Sequence, residues 1–513
     1  MSNKENFKKE INSSYDFEGK SILLGTAMLD GTAMERTAVN IPLEMLNRHG
    51  MISGATGTGK TKTAQILAEQ LSHQGVPSLI MDMKSDLSGI AVAGTNNKHI
   101  EWRHKMIGEE WIGAGSPVEF LSLSNEPGIR LRSTVTEFGP ILLSKIMGLN
   151  DTQQSVLTIL FKYCDDHKRP LLDLEDLKEI LRFSTAEGKE DLSAEYGYIA
   201  PSTIGAIMRK LVELEHQKAD ELFGEPSFEV QDLCRTTKDG KGVVNVIRLR
   251  DIQTKPKLFS TFMLQLLAEV YASFPEEGDM DRPKLCIFID EAHLVFQEAS
   301  NALMDQIEMI VKLIRSKGIG LFFITQNPVD VPSAVLSQLG LKIQHALRAF
   351  TAKDRKAIRL VAENYPITDY YDVEQELTEL GIGEALVTTL NEKGRPTPLV
   401  RTLLRAPQSR MDVLEQNELD KFVASSTLKD KYEEPIEKPK AQEKVKDKMK
   451  EAHSPEVQQE LKRIDEQVHQ EKEGSSWIDI LGEAVNSTTG RRITNTIARE
   501  VTRGLFGILG KKR

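Results

Sequence analysis

A glycine-rich segment of eight residues, Gly54-Ala55-Thr56-Gly57-Thr58-Gly59-Lys60-Thr61, constrains the fold of this chain more than any other feature. Its spacing, G-x-x-x-x-G-K-T, is that of a phosphate-binding loop, because glycines let backbone N–H groups turn inward around a phosphate. A short apolar run at 51–53 precedes the segment, and apolar residues at helical spacing follow it at 61–73. The order strand, loop, helix predicts an α/β fold with a nucleoside triphosphate at the loop.

The loop residues have expected contacts with the nucleotide. The candidate nucleotide-binding residues are Gly54, Ala55, Thr56, Gly57, Thr58, Gly59, Lys60, Thr61 and Lys62. We expect Lys60 to reach the β- and γ-phosphates and to act in catalysis, and the hydroxyl of Thr61 to bind Mg²⁺. The positive end of the following helix faces the same phosphates. The predicted cofactors are ATP and Mg²⁺.

A second motif is the apolar run 285–289, which ends in Asp290 and Glu291. Because removing carboxylates from water is costly, a buried strand that ends in two of them needs a partner for their charge, and Mg²⁺ is the obvious one. We expect Asp290 to hold the metal and Glu291 to polarise the attacking water. His293 is expected to begin a helix rather than to take part in catalysis.

A third apolar run, 321–325, ends in Gln326, which we expect to sense the γ-phosphate or the attacking water. Many ring ATPases complete the site with an arginine from the next subunit. Arg348 and Arg315 are the candidates for that role, with other arginines such as Arg355 as alternatives. Each of them could instead be a surface ion-pair residue.

Asp82, Lys84 and Asp86 lie at the end of the apolar run 78–83. Ligand sites of open α/β sheets collect at the carboxyl ends of the strands. Two interpretations remain open for these three residues. They line the active cleft and couple it to a substrate, or they are solvated charges of a loop.

The pattern along the chain divides it into six parts. They are a lead segment at 1–45, the first part of the ATPase core at 46–92, a mostly helical insertion at 93–280, the second part of the core at 281–410, a charged linker or helix at 411–473, and a basic amphipathic tail at 474–513. Strand candidates at 118–123 and 243–249 interrupt the helical insertion. The segment 384–390 is expected to be the last strand.

Composition excludes several classes of protein. The 513 residues carry a formal net charge of −10, so a general polyanion binder is not expected. Three widely separated cysteines exclude a disulfide scaffold and fit a reducing compartment. The first twenty residues have no apolar core, and nowhere does the chain reach about 18 consecutive apolar residues. These observations favour a cytoplasmic location.

Six stretches resemble the HerA-like branch of the HerA/FtsK P-loop ATPases, and more closely its bacterial YjgR-type family, once catalogued as a domain of unknown function. The stretches are NRHGMISGATGTGKT at 47–61, MDMKSDLSG at 81–89, RSTVTEFGPILLSKIMGLN at 132–150, FIDEAHLVF at 288–296, IRSKGIGLFFITQNPVDVP at 314–332 and QLGLKIQHALRAFT at 338–351. The resemblance covers roughly residues 20–405 and also the basic C-terminus.

The resemblance implies an additional-strand, catalytic-glutamate (ASCE) core of the RecA-like type, a parallel sheet with strand order 5-1-4-3-2. It implies a hexameric ring that hydrolyses ATP with Mg²⁺ and, in relatives, translocates or unwinds DNA. Lys60 and Thr61 match the Walker A positions, Asp290 matches Walker B, Glu291 the catalytic base and Gln326 the sensor.

We therefore expect an oligomeric ATPase that moves along DNA. The alternative is a regulatory or scaffold NTPase, whose nucleotide cycle controls a protein or membrane partner without moving DNA. Three alternatives remain open for what the basic tail binds. They are a neighbouring subunit or the chain itself, nucleic acid, and an anionic membrane surface.

Overall fold

The computed structural model describes residues 3–433 and 443, apart from 125, 254, 277, 279 and 298–300. The basic tail expected at 474–513, most of the charged linker at 411–473 and the beginning of the chain at 1–2 lie outside the described residues.

Strands and helices alternate through most of the described chain. The strands are β1 Ser21–Leu29, β2 Thr32–Pro42, β3 Gly50–Ser53, β4 Ser78–Asp82, β5 Val118–Ser122, β6 Ile129–Arg130, β7 Val244–Arg248, β8 Leu285–Ile289, β9 Ile319–Thr325, β10 Leu341–Gln344, β11 Glu384–Thr388 and β12 Val400–Leu404. The helices are α1 Asn3–Ser14, α2 Lys60–His73, α3 Lys98–Ile107, α4 Val135–Met147, α5 Asp151–Asp166, α6 Leu174–Phe183, α7 Lys189–Tyr196, α8 Pro201–His216, α9 Pro256–Ser273, α10 His293–Gln297, α11 Asn301–Ile314, α12 Ser333–Leu336, α13 Ala352–Ala362, α14 Val373–Glu379, α15 Gln416–Ala424 and α16 Lys429–Tyr432.

Within the described part of the chain, twelve strands form a single sheet in the order β2-β1-β12-β11-β10-β3-β9-β8-β4-β7-β5-β6. Every pair from β10 to β6 is parallel. The pairs from β2 to β10 are antiparallel. The sheet is therefore mixed, and the phosphate loop leaves it from β3, inside the parallel part.

The parallel strands are covered on both faces, which explains why they are continuous apolar runs in the sequence. Along β8, Leu285, Ile287 and Ile289 pack into a large cluster with the helices α4–α11, whereas Cys286 and Phe288 pack into a second cluster with α2 and the β1–β2 hairpin. All five side chains are essentially inaccessible to solvent. Charged groups can therefore collect only at the edges of the sheet, where the strands end.

The sheet is larger than the sequence pattern indicated. The lead segment contributes α1 and the hairpin β1–β2, and 93–280 contributes β5, β6 and β7 to the same sheet, in addition to its helices. The expectation that 384–390 is the last strand was wrong, because β12 follows and pairs with both β11 and β1. Pairing partners this distant in sequence leave no local signal in the chain.

Candidate active site

The phosphate loop is fixed to the sheet by its backbone. Gly54 has a φ of +147°, and a Cβ there would lie 2.6 Å from the Cβ of His345. The backbone N–H of Ala55 donates to Ala346 O over 2.8 Å, and that of His345 donates to Ser53 O over 2.7 Å. Glycine at 54 is therefore required by close packing against the chain that leaves β10, as well as by its backbone angle.

Lys60 begins α2 and lies almost wholly buried against the loop. Its Nζ donates to Gly54 O over 2.7 Å and to Ala55 O over 3.2 Å. Burial lowers the pKa of this ammonium, and the charge of Lys84 lowers it further, while Glu291 and Asp290 oppose the shift. The acidic end of β8 therefore lies close enough to the loop for its charges to act on Lys60.

Asp290 is 4% exposed, and its Oδ2 has no hydrogen-bond partner among the described residues. Burial raises its pKa to about 7, the charge of Lys84 opposes the shift, and the nearby carboxylates add to it. A buried oxygen without a donor suits a hard cation. Thr61 lies half-buried in the first turn of α2, so Asp290 and Thr61 are the residues that could hold Mg²⁺.

The described residues contain no group of three or more His, Cys, Asp and Glu side chains that could hold a metal by themselves. Mg²⁺ usually takes only one or two protein oxygens and completes its shell with phosphates and water. Two candidate protein ligands at this position therefore fit a metal that arrives with a nucleotide.

Glu291 follows Asp290 with a left-handed backbone, φ +47°, and a buried side chain. Lys84 Nζ lies 2.5 Å from its Oε1, and His293 Nδ1 lies 3.3 Å from its Oε2. Burial raises the pKa of this carboxyl, but the hydrogen bond and charge of Lys84 outweigh it, so that the net shift is downward. Oε1 is therefore held by Lys84, whereas Oε2 forms no hydrogen bond with any of the described residues. His293 begins α10, as the sequence predicts, and also touches Glu291.

Gln326 joins the loop to the acidic strand end. Its Nε2 donates to Glu291 Oε1 over 3.5 Å, and its Oε1 accepts from Thr56 Oγ1 over 3.3 Å. Because β9 lies between β3 and β8, a residue that follows β9 reaches both neighbours. The three polar strand ends singled out in the sequence therefore meet at one edge of the sheet.

The segment after β4 is not a loop of solvated charges, because Asp82 is only 1% exposed. Asp82 stabilises its own turn, because its carboxylate accepts from the backbone N–H of Asp86 and of Leu87 over 3.1 and 3.0 Å. Lys84, in contrast, reaches Glu291. The sequence placed Lys84 at a strand end, but it did not indicate which carboxylate it contacts.

The two candidate arginines lie at opposite edges of the sheet. Arg348 follows β10 at the carboxyl edge and lines a cavity of about 450 Å³ together with Thr56 and Gln326. Arg315 lies in the turn Arg315–Lys317 that precedes β9, at the amino edge. Within one chain, Arg348 is therefore beside the phosphate loop and Arg315 is remote from it, and action in a neighbouring subunit stays a prediction for both.

Lys62 points away from the loop. Its Nζ donates to Gln65 Oε1 over 3.2 Å and to Met411 O over 2.5 Å. The backbone of the segment 408–414, which we call the C-terminal strap, also bonds to Gln65 and Glu69 of α2. No motif marks the strap in the sequence, because most of its bonds to α2 are made by backbone atoms, with the Ser409 hydroxyl as an exception.

None of the helices in the described ranges combines the length and the apolar character that crossing a bilayer would require.

Several known proteins are similar in sequence to this chain. It is 24% identical over 381 residues to a protein named probable helicase MJECL08 of Methanocaldococcus jannaschii, covering 67% of this chain and 64% of that protein. It is 24% identical over 358 residues to the DNA double-strand break repair helicase HerA of Sulfurisphaera tokodaii, covering 68% and 64%. The chain thus spans a little under two thirds of the length of these relatives.

Among solved structures, the bacterial conjugative coupling protein TrwBdeltaN70, in its unbound monoclinic form, is similar with a TM-score of 0.50 at 14% identity. The superposed regions cover 79% of this chain and 95% of that one. At this identity the similarity shows a shared fold.

The family model described as "Helicase HerA-like C-terminal" matches residues 28–513, which include the phosphate loop, the acidic strand end and Gln326. The chain belongs to the helicase HerA-like C-terminal family.

Proposed function

We propose that this chain is a Mg²⁺-dependent ATPase whose hydrolysis cycle drives movement along DNA. The observation that carries the proposal is the meeting of Lys60, Asp290 and Glu291 at one edge of the sheet, with Gln326 joining Glu291 to the loop. A phosphate cradle, a metal-binding carboxylate and a carboxylate base are the parts that hydrolysis of a nucleoside triphosphate needs.

The central strands support a RecA-like core. If β5, β6 and β7, which lie beyond β4 in the sheet, are left out, then β3, β4, β8, β9 and β10 are core strands 1 to 5 in chain order. Their order in the sheet, β10-β3-β9-β8-β4, corresponds to 5-1-4-3-2. In such a core, the strand between the loop strand and the acidic strand places the residue that follows it between the phosphate loop and the catalytic carboxylate. Gln326, which follows β9, has that position.

The residues have separate tasks in the proposed reaction. Lys60 would leave its two carbonyl partners to bind the β- and γ-phosphates, and the loop amides would hold the same groups. Glu291 would accept a proton from the attacking water, and Gln326 would orient that water against the γ-phosphate. Mg²⁺ held by Thr61 and Asp290 would neutralise charge on the phosphates.

DNA as the track is supported by the relatives, two of which carry the word helicase in their names. We propose a homo-oligomeric ring, a hexamer, in which Arg348 or Arg315 of one subunit completes the site of the next. Cys164, Cys234 and Cys286, all within the described residues, form no disulfide, which fits a cytoplasmic location.

The test is turnover of the full chain with ATP and Mg²⁺, with and without duplex and single-stranded DNA, at low and moderate salt. Glu291→Gln should keep nucleotide binding and lose about 10²–10⁴-fold in turnover. Lys60→Ala should lose binding. Glu190→Gln, which changes an exposed carboxylate on α7, is the matched control.

Stimulation by DNA supports translocation. ATP hydrolysis that ignores DNA, from a protein that DNA does not retain, would favour the regulatory or scaffold function. Near wild-type turnover by Glu291→Gln would remove Glu291 as the base.

A further inference from the structure

Lys84 and Glu291 leave the sheet side by side. β4 and β8 are parallel neighbours, with Met81 opposite Ile289. Lys84 follows Met81 by three residues and Glu291 follows Ile289 by two, so both side chains emerge at the carboxyl edge. There Lys84 Nζ lies 2.5 Å from Glu291 Oε1. The Glu291 side chain is 9% exposed and that of Lys84 is 37% exposed, so the pair is screened from solvent mainly on the glutamate side.

This ion pair occupies one of the two oxygens of the proposed base. Oε1 of Glu291 faces both Lys84 and the amide of Gln326, and Oε2 faces His293. A carboxylate that serves as general base must direct a lone pair at water. An ammonium and an amide contact Oε1, and Oε2 has no hydrogen-bond partner within the described ranges, so Glu291 is held in its orientation through Oε1.

Lys84 also lies near the phosphate loop, because Gln326 contacts both its partner Glu291 and Thr56 of the loop. The charge of Lys84 lowers the pKa of Lys60, which lies against the loop. The carboxylates of Asp290 and Glu291 favour the charged form of both lysines. Lysine is a compact charge with three donors on a flexible stem, so it can exchange one anionic partner for another without moving the backbone. A terminal phosphate brings new negative charge into the space between these two lysines.

We propose that Lys84 is a switch residue that holds Glu291 in the absence of a terminal phosphate and transfers to that phosphate when ATP binds, releasing Glu291 to face water. The inference rests on the proposed function and extends it, because it assigns to Lys84 the distinction between ATP and ADP. The exchange makes and breaks ion pairs only, and no covalent bond changes. An ordinary ion pair at the surface would instead be indifferent to the nucleotide.

The first experiment compares the affinity of the full chain for ADP and for the non-hydrolysable β,γ-imido analogue of ATP, by calorimetry with Mg²⁺. In Lys84→Gln, the preference for the analogue over ADP should fall about tenfold, the effect of one charge-assisted hydrogen bond. Lys84→Arg should keep most of the preference. Lys210→Gln, which removes an exposed lysine charge from α8, should leave it unchanged. An unchanged preference in Lys84→Gln overturns the inference.

The second experiment removes the competing partner. In Glu291→Gln, Lys84 is released without a phosphate, so the analogue should bind several-fold more tightly relative to ADP. That gain should vanish when Lys84→Gln is combined with it, since the two residues then act as one coupled unit. If the gain persists undiminished in the double variant, Glu291 repels the phosphate directly and Lys84 is not the switch.

The outcomes separate the two proposals. Failure of the wild-type chain to take up either nucleotide overturns the proposed function and the switch with it. Nucleotide binding and turnover by the wild type, with a preference that ignores Lys84, overturns the switch alone. If Lys84→Gln does not fold, Glu291→Gln still decides, because an unaltered preference in that variant contradicts the competition.

Discussion

The side-chain amide of Gln326 donates to Oε1 of Glu291 over 3.5 Å. The other end of the same amide accepts from Thr56 in the phosphate loop. One side chain therefore contacts both the phosphate loop and the catalytic carboxylate. A shift of the loop would move this amide and change its contact with Glu291. An amide suits this place, because it can donate to an anion and accept from a hydroxyl at the same time.

Gln326→Ala should lower turnover by about 10–100-fold and change nucleotide affinity little, because the amide orients Glu291 and water rather than the phosphates of the ground state. Steady-state kinetics with ATP would separate the two effects. Gln338→Ala removes an exposed amide from the loop after α12 and should behave as the wild type. A large loss of affinity with unchanged turnover would contradict the orienting role.

Asp290→Asn should stabilise the nucleotide-free protein while abolishing turnover. The variant removes a buried carboxylate whose Oδ2 has no hydrogen-bond partner within the described ranges, and we expect about 1–3 kcal/mol more free energy of unfolding. Urea unfolding in the presence of a chelator measures this. Asp281→Asn, at an exposed position before β8, is the control. Unfolding of the Asn variant at lower urea would show that the carboxylate is stabilised by its surroundings.

The strand before the phosphate loop and the polar ends of β8 and β9 could be predicted from the sequence, because each is marked by neighbouring residues in the chain. The runs 285–289 and 321–325 appear as β8 and the body of β9, and the helix after the loop appears as α2. A strand buried on both faces is mainly apolar, so the first charged or amide side chain after the apolar run marks its end. Asp290 and Gln326 were singled out by that rule.

The contacts that complete the site could not be predicted in the same way. The bond from Lys84 to Glu291 depends on β4 and β8 being neighbours in the sheet, although about 200 residues separate them in the chain. The strap is bonded to α2 mainly through its own backbone, so residue type marks it only weakly. The pairing of β1 with β12 was missed because the partners are even further apart in the chain, as with Gly25 and Leu404.

The buried imidazole of His49 should make stability depend on pH. Its Nε2 lies 2.7 Å from Val311 O, and its Nδ1 accepts from Leu321 N over 3.1 Å, so the ring is neutral in the folded state. Burial lowers the pKa of His49 from 6.5 to about 4. The bond to Val311 opposes this shift, and the charge of Arg315 adds a smaller downward contribution.

Between these two values the unfolded chain binds a proton at this position that the folded chain does not. The free energy of unfolding should therefore fall as pH decreases from 6.5 towards 4, by at most about 1.4 kcal/mol per pH unit from this group. His49→Asn should lose that part of the slope, measured by urea unfolding at several pH values, and the exposed His99→Asn should keep it. Equal slopes in the two variants would show that His49 is not responsible.

Glu69 should hold the C-terminal strap on the helix of the phosphate loop. Its two carboxylate oxygens accept from the backbone N–H of Gln408 over 2.9 Å and of Ser409 over 3.0 Å, and also from the Ser409 hydroxyl. In Glu69→Ala these donors lose their acceptor in a buried place. We expect about 2–3 kcal/mol less free energy of unfolding and faster proteolysis near the strap.

Chemical unfolding and limited proteolysis of the full chain measure the two effects. Gln70→Ala is the matched control, because Gln70 is the next residue of α2 and only half-buried. Equal unfolding midpoints and equal cleavage in the two variants would mean that the strap is held by its remaining contacts, of which the bond from Lys62 to Met411 O is one. A selective loss in Glu69→Ala would instead show that a buried carboxylate on the nucleotide-binding helix fixes the course of the chain after β12.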